Sequence, residues 1–137
     1  MKRPPAAIDA NIILRFLTND DPVKAEACAG LLEKVERNEC RVWLPDLVLA
    51  DIIWTLEKFY RTSKPEIAEL LTPLVGLRGM YCADKEDVLQ ALNFYVRHNL
   101  DWTDAFVAAQ IISQKAGMIY SYDRDFDKFR EIKRVEP

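Results

Sequence analysis

The 137-residue sequence contains one histidine, His98, and three widely spaced cysteines, Cys28, Cys40 and Cys82. A single histidine leaves a structural zinc site short of ligands, and a His-based catalytic triad would have to rest on His98 alone. An odd number of cysteines with no C-x-x-C pair suits reduced, buried thiols rather than a disulfide framework. No apolar stretch approaches membrane-spanning length, and no apolar signal-type segment follows Met1, Lys2, Arg3, Pro4 and Pro5. The expectation is a cytoplasmic protein with no membrane partner. Positive charge is not in excess either: 19 Lys+Arg against 22 Asp+Glu give a net −3. Such a chain does not coat nucleic acid by charge alone. A nuclease is still allowed, because a carboxylate-lined metal site is negative until a cation fills it. No repeat, low-complexity tract or linker interrupts the chain, and its length suits one domain over residues 1–137.

What is present is an alternation of short apolar runs with helical stripes. Residues 6–8 fit the start of a buried strand that stops at Asp9. Ile12, Ile13, Phe16 and Leu17 then keep a helical period until Asn19-Asp20-Asp21-Pro22 breaks it. Asp21 can cap the next helix, with Pro22 at its first position and a stripe of Val23, Ala27, Leu31 and Val35. A second strand is expected over residues 40–44, followed by a helix capped by Asp46 and running to about residue 60. Ser63 and Glu66 form a capping box ahead of a stripe of Ile67, Leu70, Leu71, Leu74 and Val75. Residues 80–83 fit a third strand. Asp84 can cap a helix with the apolar face Val88, Leu89, Leu92, Tyr95 and Val96. Asp101 can cap another, over residues 102 to about 116, with Gly117 at its stop. Residues 118–122 form the clearest strand, then come a short helical turn through Phe126 and Phe129 and an extended piece over 132–135. Strands alternating with helices imply a doubly wound α/β fold around a small parallel sheet.

Most of the acids are ordinary solvated helix positions. Four are not so easily dismissed. Asp9 ends an apolar strand, where it serves equally well as a helix cap. Asp51 is the only charge in the run from Leu47 to Leu56, and a carboxylate buried mid-helix is costly unless paired or metal-bound. Asp104 lies one turn into a mostly apolar helix that Asp101 caps, and both also suit the positive end of the helix dipole. Asp123 follows the strong strand at 118–122, with Asp125 two residues on, in a turn that favours aspartate anyway. In α/β sheets, sites form at the carboxyl ends of strands. Acids at two strand ends and on two apolar helices can therefore converge on one crevice. An all-oxygen cluster without His or Cys selects a hard cation, Mg²⁺ or Mn²⁺, suited to phosphoryl chemistry.

These residues resemble a known family. Ile8-Asp9-Ala10-Asn11-Ile12-Ile13, continuing to Asn19-Asp20-Asp21-Pro22, is similar to the opening of PIN domains of the VapC toxin type. Ala50-Asp51-Ile52-Ile53-Trp54, Leu100-Asp101-Trp102-Thr103-Asp104-Ala105 and Ser121-Tyr122-Asp123-Arg124-Asp125 resemble their later acidic segments, in family order and across nearly the whole chain. The resemblance implies a PIN-like three-layer α/β/α domain that cuts RNA endonucleolytically. It implies that Asp9, Asp51, Asp104 and Asp123 bind the metal and carry catalysis, with Asn11, Ser121 and Asp125 as supporting polar groups. It further implies a homodimer and a protein antitoxin that occupies the active-site groove. Two departures stand out. Asp51 replaces the family's usual Glu and is shorter by one methylene, roughly 1.5 Å of reach. Ala10 stands where Thr is common.

Candidate phosphate contacts are Arg15, Lys58 and Arg124, chosen for the acids beside them. Trp54 and Trp102, at helical spacings, are expected in the core. The alternative is a catalytically weak PIN fold acting as a protein-binding module. Other α/β phosphotransfer domains fit less well. A haloacid-dehalogenase-type phosphatase needs a second Asp where Asn11 stands, and a receiver domain needs an adjacent acidic pair after the first strand. A purely structural module would bury Asp51 for no gain.

Overall fold

Six α-helices and two pairs of parallel strands are found among residues 3–137, the residues that the computed structural model describes. The α/β class is as expected. Met1 and Lys2, part of the N-terminal stretch considered above, lie outside the described residues. The chain divides into two compact units, one reaching to Lys85 and the other covering Glu86–Pro137.

In the first unit, Asp9 stops the opening extended segment and caps α1 (Ala10–Thr18). Asn19, in the left-handed region at φ 55°, ends α1, and its N–H donates to the Arg15 carbonyl. Asp21 accepts from the Lys24 N–H and starts α2 (Pro22–Glu36). β1 (Val42–Trp43) follows, then α3 (Asp46–Lys58), α4 (Lys64–Val75) and β2 (Met80–Tyr81). β1 pairs in parallel with β2, Val42 opposite Met80 and Trp43 opposite Tyr81. On its other side Trp43 makes a single parallel bridge to Ala7, with Ile8 N–H donating to the Trp43 carbonyl at 2.9 Å.

These strands are shorter than the apolar runs suggested. Ala6 and Ala7 are exposed, and Cys40 is turned back onto the end of α2 by its N–H bond to the Lys34 carbonyl. Gly79 holds β2 close to the α2 terminus, donating to the Val35 carbonyl at 2.8 Å and accepting from Val42 N–H at 2.9 Å.

Helix faces also differ from expectation. α2 buries Ala25, Cys28, Leu32 and Val35, whereas Val23 is 79% exposed and Ala27 lies in solvent. Steps of four residues drift about 40° each around a helix, so a 23-27-31-35 stripe wanders off the core. The 3-4-3 spacing of the buried set stays on it. Pro45, not Asp46, occupies the cap of α3, and Asp46 sits in its first turn. The Ser63 capping bond to the Glu66 N–H is present at 3.4 Å. α4 turns Ile67, Leu71, Leu74 and Val75 inward. α1 packs on α2 and α3, and α3 packs on α4. Ile13, Val35, Ile52, Ile53, Leu56 and Ile67 are among the fully enclosed side chains of this unit.

The second unit comprises α5 (Lys85–Arg97, starting at the boundary), α6 (Trp102–Ser113), β3 (Met118–Tyr120), a 3₁₀ turn (Arg124–Lys128) and β4 (Lys133–Val135). β4 lies parallel to β3, Met118 opposite Lys133 and Tyr120 opposite Val135. α5 buries Val88, Ala91, Leu92, Phe94 and Tyr95, so its inner face is rotated from the expected Leu89 and Val96. Asp101 precedes α6 in extended conformation but makes no side-chain cap bond. Trp102 is core, 3% exposed and edge-on to Tyr95 and Phe106. His98 is a packing residue, its ring against Phe94 and Phe129 at 5.7 and 4.9 Å. Met118 and Tyr120 are exposed although their strand is the most apolar of the chain.

All three cysteines are free: Cys28 and Cys82 are buried and Cys40 is half-buried. Burial pushes the Cys82 thiol up to about 11, with the Lys85 ammonium opposing and Asp46 adding to the rise. Because the thiolate is the nucleophile, iodoacetamide at mildly alkaline pH is expected to label Cys40 first and Cys82 last. A mass-spectrometric time course reads the order, and Cys82 reacting ahead of Cys40 would contradict it.

Candidate active site

In the second unit, β3 delivers the chain to a loop built around Asp123. The Ser121 N–H continues the pairing with β4 by donating to the Val135 carbonyl at 3.0 Å. Asp123 N–H donates to the Ser121 hydroxyl oxygen at 2.9 Å, and Asp123 Oδ1 accepts from the Asp125 N–H at 2.9 Å. The carboxylate of Asp123 thus caps the 3₁₀ turn and fixes the position of Asp125 two residues later. The Arg134 guanidinium donates to the Ser121 carbonyl at 3.1 Å from the far side, while ion-paired to Asp127 and Glu136. Asp104 reaches the same place from the first turn of α6, a helix that packs on the 3₁₀ turn.

Asp104, Asp123 and Asp125 each offer a carboxylate oxygen, all within 4.8 Å of one another. Crowding of this kind has an electrostatic signature. Burial raises the Asp104 carboxyl above its ordinary range, and the charges of Asp123 and Asp101, a hydrogen bond to Asp123 and the charge of Asp125 raise it further. The Lys128 ammonium pairs with Asp125 at 3.2 Å. Three converging hard oxygen donors, one of them strained toward its neutral form, fit a divalent cation such as Mg²⁺ or Mn²⁺.

Asp125, read from the sequence as a supporting group, therefore stands in the cluster itself. The signal was the Asp123-Arg124-Asp125 spacing: an aspartate that accepts from the N–H two residues on turns both side chains to one side. Ser121 orders the backbone of Asp123, and Arg124 lies exposed at the head of the 3₁₀ turn.

The remaining candidates belong to the first unit. Asp9 is exposed and accepts from Ala10 N–H at 2.8 Å through Oδ1. Asn11 and Arg15 line a cavity of about 220 Å³ with Leu14, Thr18, Asp20 and Tyr60, and the Tyr60 hydroxyl donates to Asp20. The Arg15 guanidinium lies 4.0 Å from Asp21. The expected burial of Asp51 is overturned: it is exposed. Leu49, Ala50, Ile52, Ile53 and Leu56 take the inner face of α3, which leaves Asp51 outward. Its carboxylate carries no desolvation penalty needing explanation. Trp54 is likewise 38% exposed rather than in the core.

With the fold and these acids in place, comparison with known proteins is decisive. The PIN domain family matches residues 6–132. The chain belongs to the PIN domain family. A VapC ribonuclease of Aquifex aeolicus (strain VF5) is 19% identical to it over 130 residues, which is 95% of this chain and 95% of that one. In this PIN domain protein the family match runs through both units and includes all four acidic segments. No helix among the described residues is long and apolar enough to cross a membrane.

Proposed function

We propose that this protein is a divalent-metal-dependent endoribonuclease, the toxin of a toxin–antitoxin pair, with residues 1–137 forming one PIN domain that works in the cytoplasm. The observation that carries the reading is the convergence of Asp104, Asp123 and Asp125 within 4.8 Å. Asp104 would hold Mg²⁺ or Mn²⁺ from α6, and Asp123 and Asp125 from the loop after β3. A divalent cation held there supplies Lewis acidity toward a phosphodiester and a more acidic water. Ser121 keeps the Asp123 backbone in register, and Lys128 limits the excess negative charge beside Asp125. Asp9 and Asp51 are proposed to serve the same reaction, on the strength of the segments that resemble the family. Arg15, Lys58 and Arg124 are the cations proposed to meet RNA phosphates, and Asn11 a polar group supporting Asp9.

The antitoxin is proposed to occupy the active-site groove, as the family resemblance implies, and a separate groove of about 450 Å³ in the first unit, lined by none of the site acids, offers it a further contact. It is lined by residues that include Phe16, Leu17, Leu32, Leu70 and Leu74 together with Glu33, Glu36 and Glu69. An amphipathic segment with apolar anchors and Lys or Arg beside them fits that surface. A homodimer follows from the family resemblance, and Val23 and Phe59, both highly exposed, are apolar surface for such an association to cover.

The test is cleavage of a mixed RNA pool by purified protein with Mg²⁺ or Mn²⁺ and with EDTA, beside the Asp9→Asn and Asp51→Asn variants. The expected result is metal-dependent cutting that EDTA stops and both variants lose. Asp51→Glu, which restores the family's usual length, is expected to cut at least as fast as the natural protein. Absence of cutting, together with no metal-induced rise in melting temperature, would instead favour a protein-binding module.

A further inference from the structure

One face of α3 is left unpacked, and its composition is unusual for plain surface. Leu47, Asp51, Trp54 and Lys58 recur at i, i+4, i+7 and i+11, within about 60° of arc on a helix, and all four are exposed. Trp54 lies about 4.5 Å along the axis from Asp51, and Lys58 about 6 Å beyond Trp54. Trp54, Asp51, Leu47, Val48 and Pro45 together line a cavity of about 450 Å³. The other two tryptophans are accounted for. Trp102 packs edge-on against Tyr95 and Phe106, and Trp43 carries the Arg3 guanidinium 4.4 Å above its ring. Among the described residues Trp54 has no ring or cation against it, and neither Asp51 nor Lys58 has an ion-pair partner.

We infer that this cavity is a nucleobase subsite of the RNA substrate. One base stacks on the Trp54 indole and a phosphate of the same strand pairs with Lys58, which places the neighbouring phosphodiester at Asp51. The inference rests on the ribonuclease reading and adds to it the residue that positions the strand. A flat π-face in an apolar recess accepts any base, and a cation one turn away matches the alternation of base and phosphate along a single strand. Protein surfaces fit the same stripe less well. A partner covering Trp54 would have to desolvate the Asp51 carboxylate and the Lys58 ammonium on either side of it, with compensation for both. A flexible strand leaves the two charges at its edge, in water.

The experiment combines steady-state cleavage with tryptophan fluorescence on full-length protein. Trp54→Ala is expected to raise KM for a short mixed-sequence single-stranded RNA by about 5- to 100-fold, with kcat changed far less. Trp54→Phe is expected to restore most of that loss. In EDTA the same RNA is expected to quench the fluorescence of the natural protein, and Trp54→Phe is expected to abolish the quench. Thermal melts confirm that each variant is folded. Cleavage with an unchanged KM in Trp54→Ala, or a quench that survives Trp54→Phe, overturns the subsite and leaves the ribonuclease standing. A Trp54-dependent quench without cleavage supports the subsite while the enzymatic reading fails. If RNA is neither cut nor bound, both fall. A dimer in sedimentation that Trp54→Ala dissociates, with no quench, shows a second copy on this face and overturns the proposal.

Discussion

Asp104→Asn is expected to do two opposite things: lower metal-dependent RNA cleavage by about 10²–10³-fold and raise the melting temperature measured in EDTA. The substitution keeps the shape of the side chain and removes one of three clustered negative charges. The sign of the stability effect follows from the raised carboxyl of Asp104, driven first by burial and then by its acidic neighbours. Between the unfolded value of 3.8 and the higher folded value, the native state holds more protons than the unfolded state, so stability falls as pH rises. Above that window the ionised group is a constant penalty; below 3.8 the penalty is gone. The gain from Asn should therefore be full at neutral pH and close on acidification through the window.

Cation binding should reverse the ranking. A ligand at a hundred times its Kd stabilises by about 2.7 kcal/mol, roughly 5–10 °C for a chain of this size. The natural protein should gain that with Mn²⁺ at neutral pH, and Asp104→Asn only a fraction of it. Melts of both proteins across pH, with Mn²⁺ and with EDTA, make the comparison. Coincident curves would mean that the three carboxylates do not act as a unit.

The largest loss of stability is expected at a residue with no side chain. A Cβ on Gly79 would lie 2.2 Å from the Cys40 carbonyl oxygen, 2.8 Å from the Val35 carbonyl oxygen and 3.2 Å from Val35 Cγ1. Backbone atoms meet it on two sides, and they belong to hydrogen-bonded chain. Gly79 N–H donates to that Val35 carbonyl, and the Gly79 carbonyl accepts from Val42 N–H at the start of the β1–β2 pairing. Val35 is fully enclosed and cannot retreat. Gly79→Ala should therefore cost about 3 kcal/mol or more, at or beyond the upper end for overpacking, and lower the melting temperature by roughly 10 °C. Gly30→Ala is the control. Within α2 a Cβ there meets nothing within 4 Å, so the helix should gain about 0.5–1 kcal/mol. A Gly79→Ala protein that melts with the natural one would show that this crossing of α2 and β2 is looser than the contacts indicate.

Legibility in the sequence followed the range of the interactions. Ser63 and Asp21 announced their helices because a cap is a bond between a side chain and a backbone N–H a few residues away. Asp123 and Asp125 were visible for the same reason, as a turn. What spacing alone did not reveal was that this pair meets Asp104, because that depends on where α6 brings its first turn. The side on which Asp51 emerges was misjudged because a run of apolar letters carries no direction. Once Ile52, Ile53 and Leu56 claim the interior, residue 51 is turned out. Strand lengths went astray for a related reason. A ladder ends where its neighbour leaves, as at Cys40, and not where hydrophobicity ends.

The pairing of β4 with β3 has a consequence in time. The loop that carries Asp123 and Asp125 is anchored through Ser121 by the Val135 carbonyl and by Arg134, residues that come after the whole loop in the chain. A polypeptide is made from its amino end at about 5–20 residues per second, so Asp104, Asp123 and Asp125 all exist before the strand that anchors their loop. The acid loop is fastened only when residues 133–136 emerge from the ribosome. Until then the loop keeps its local turn bonds but lacks its anchor on β4.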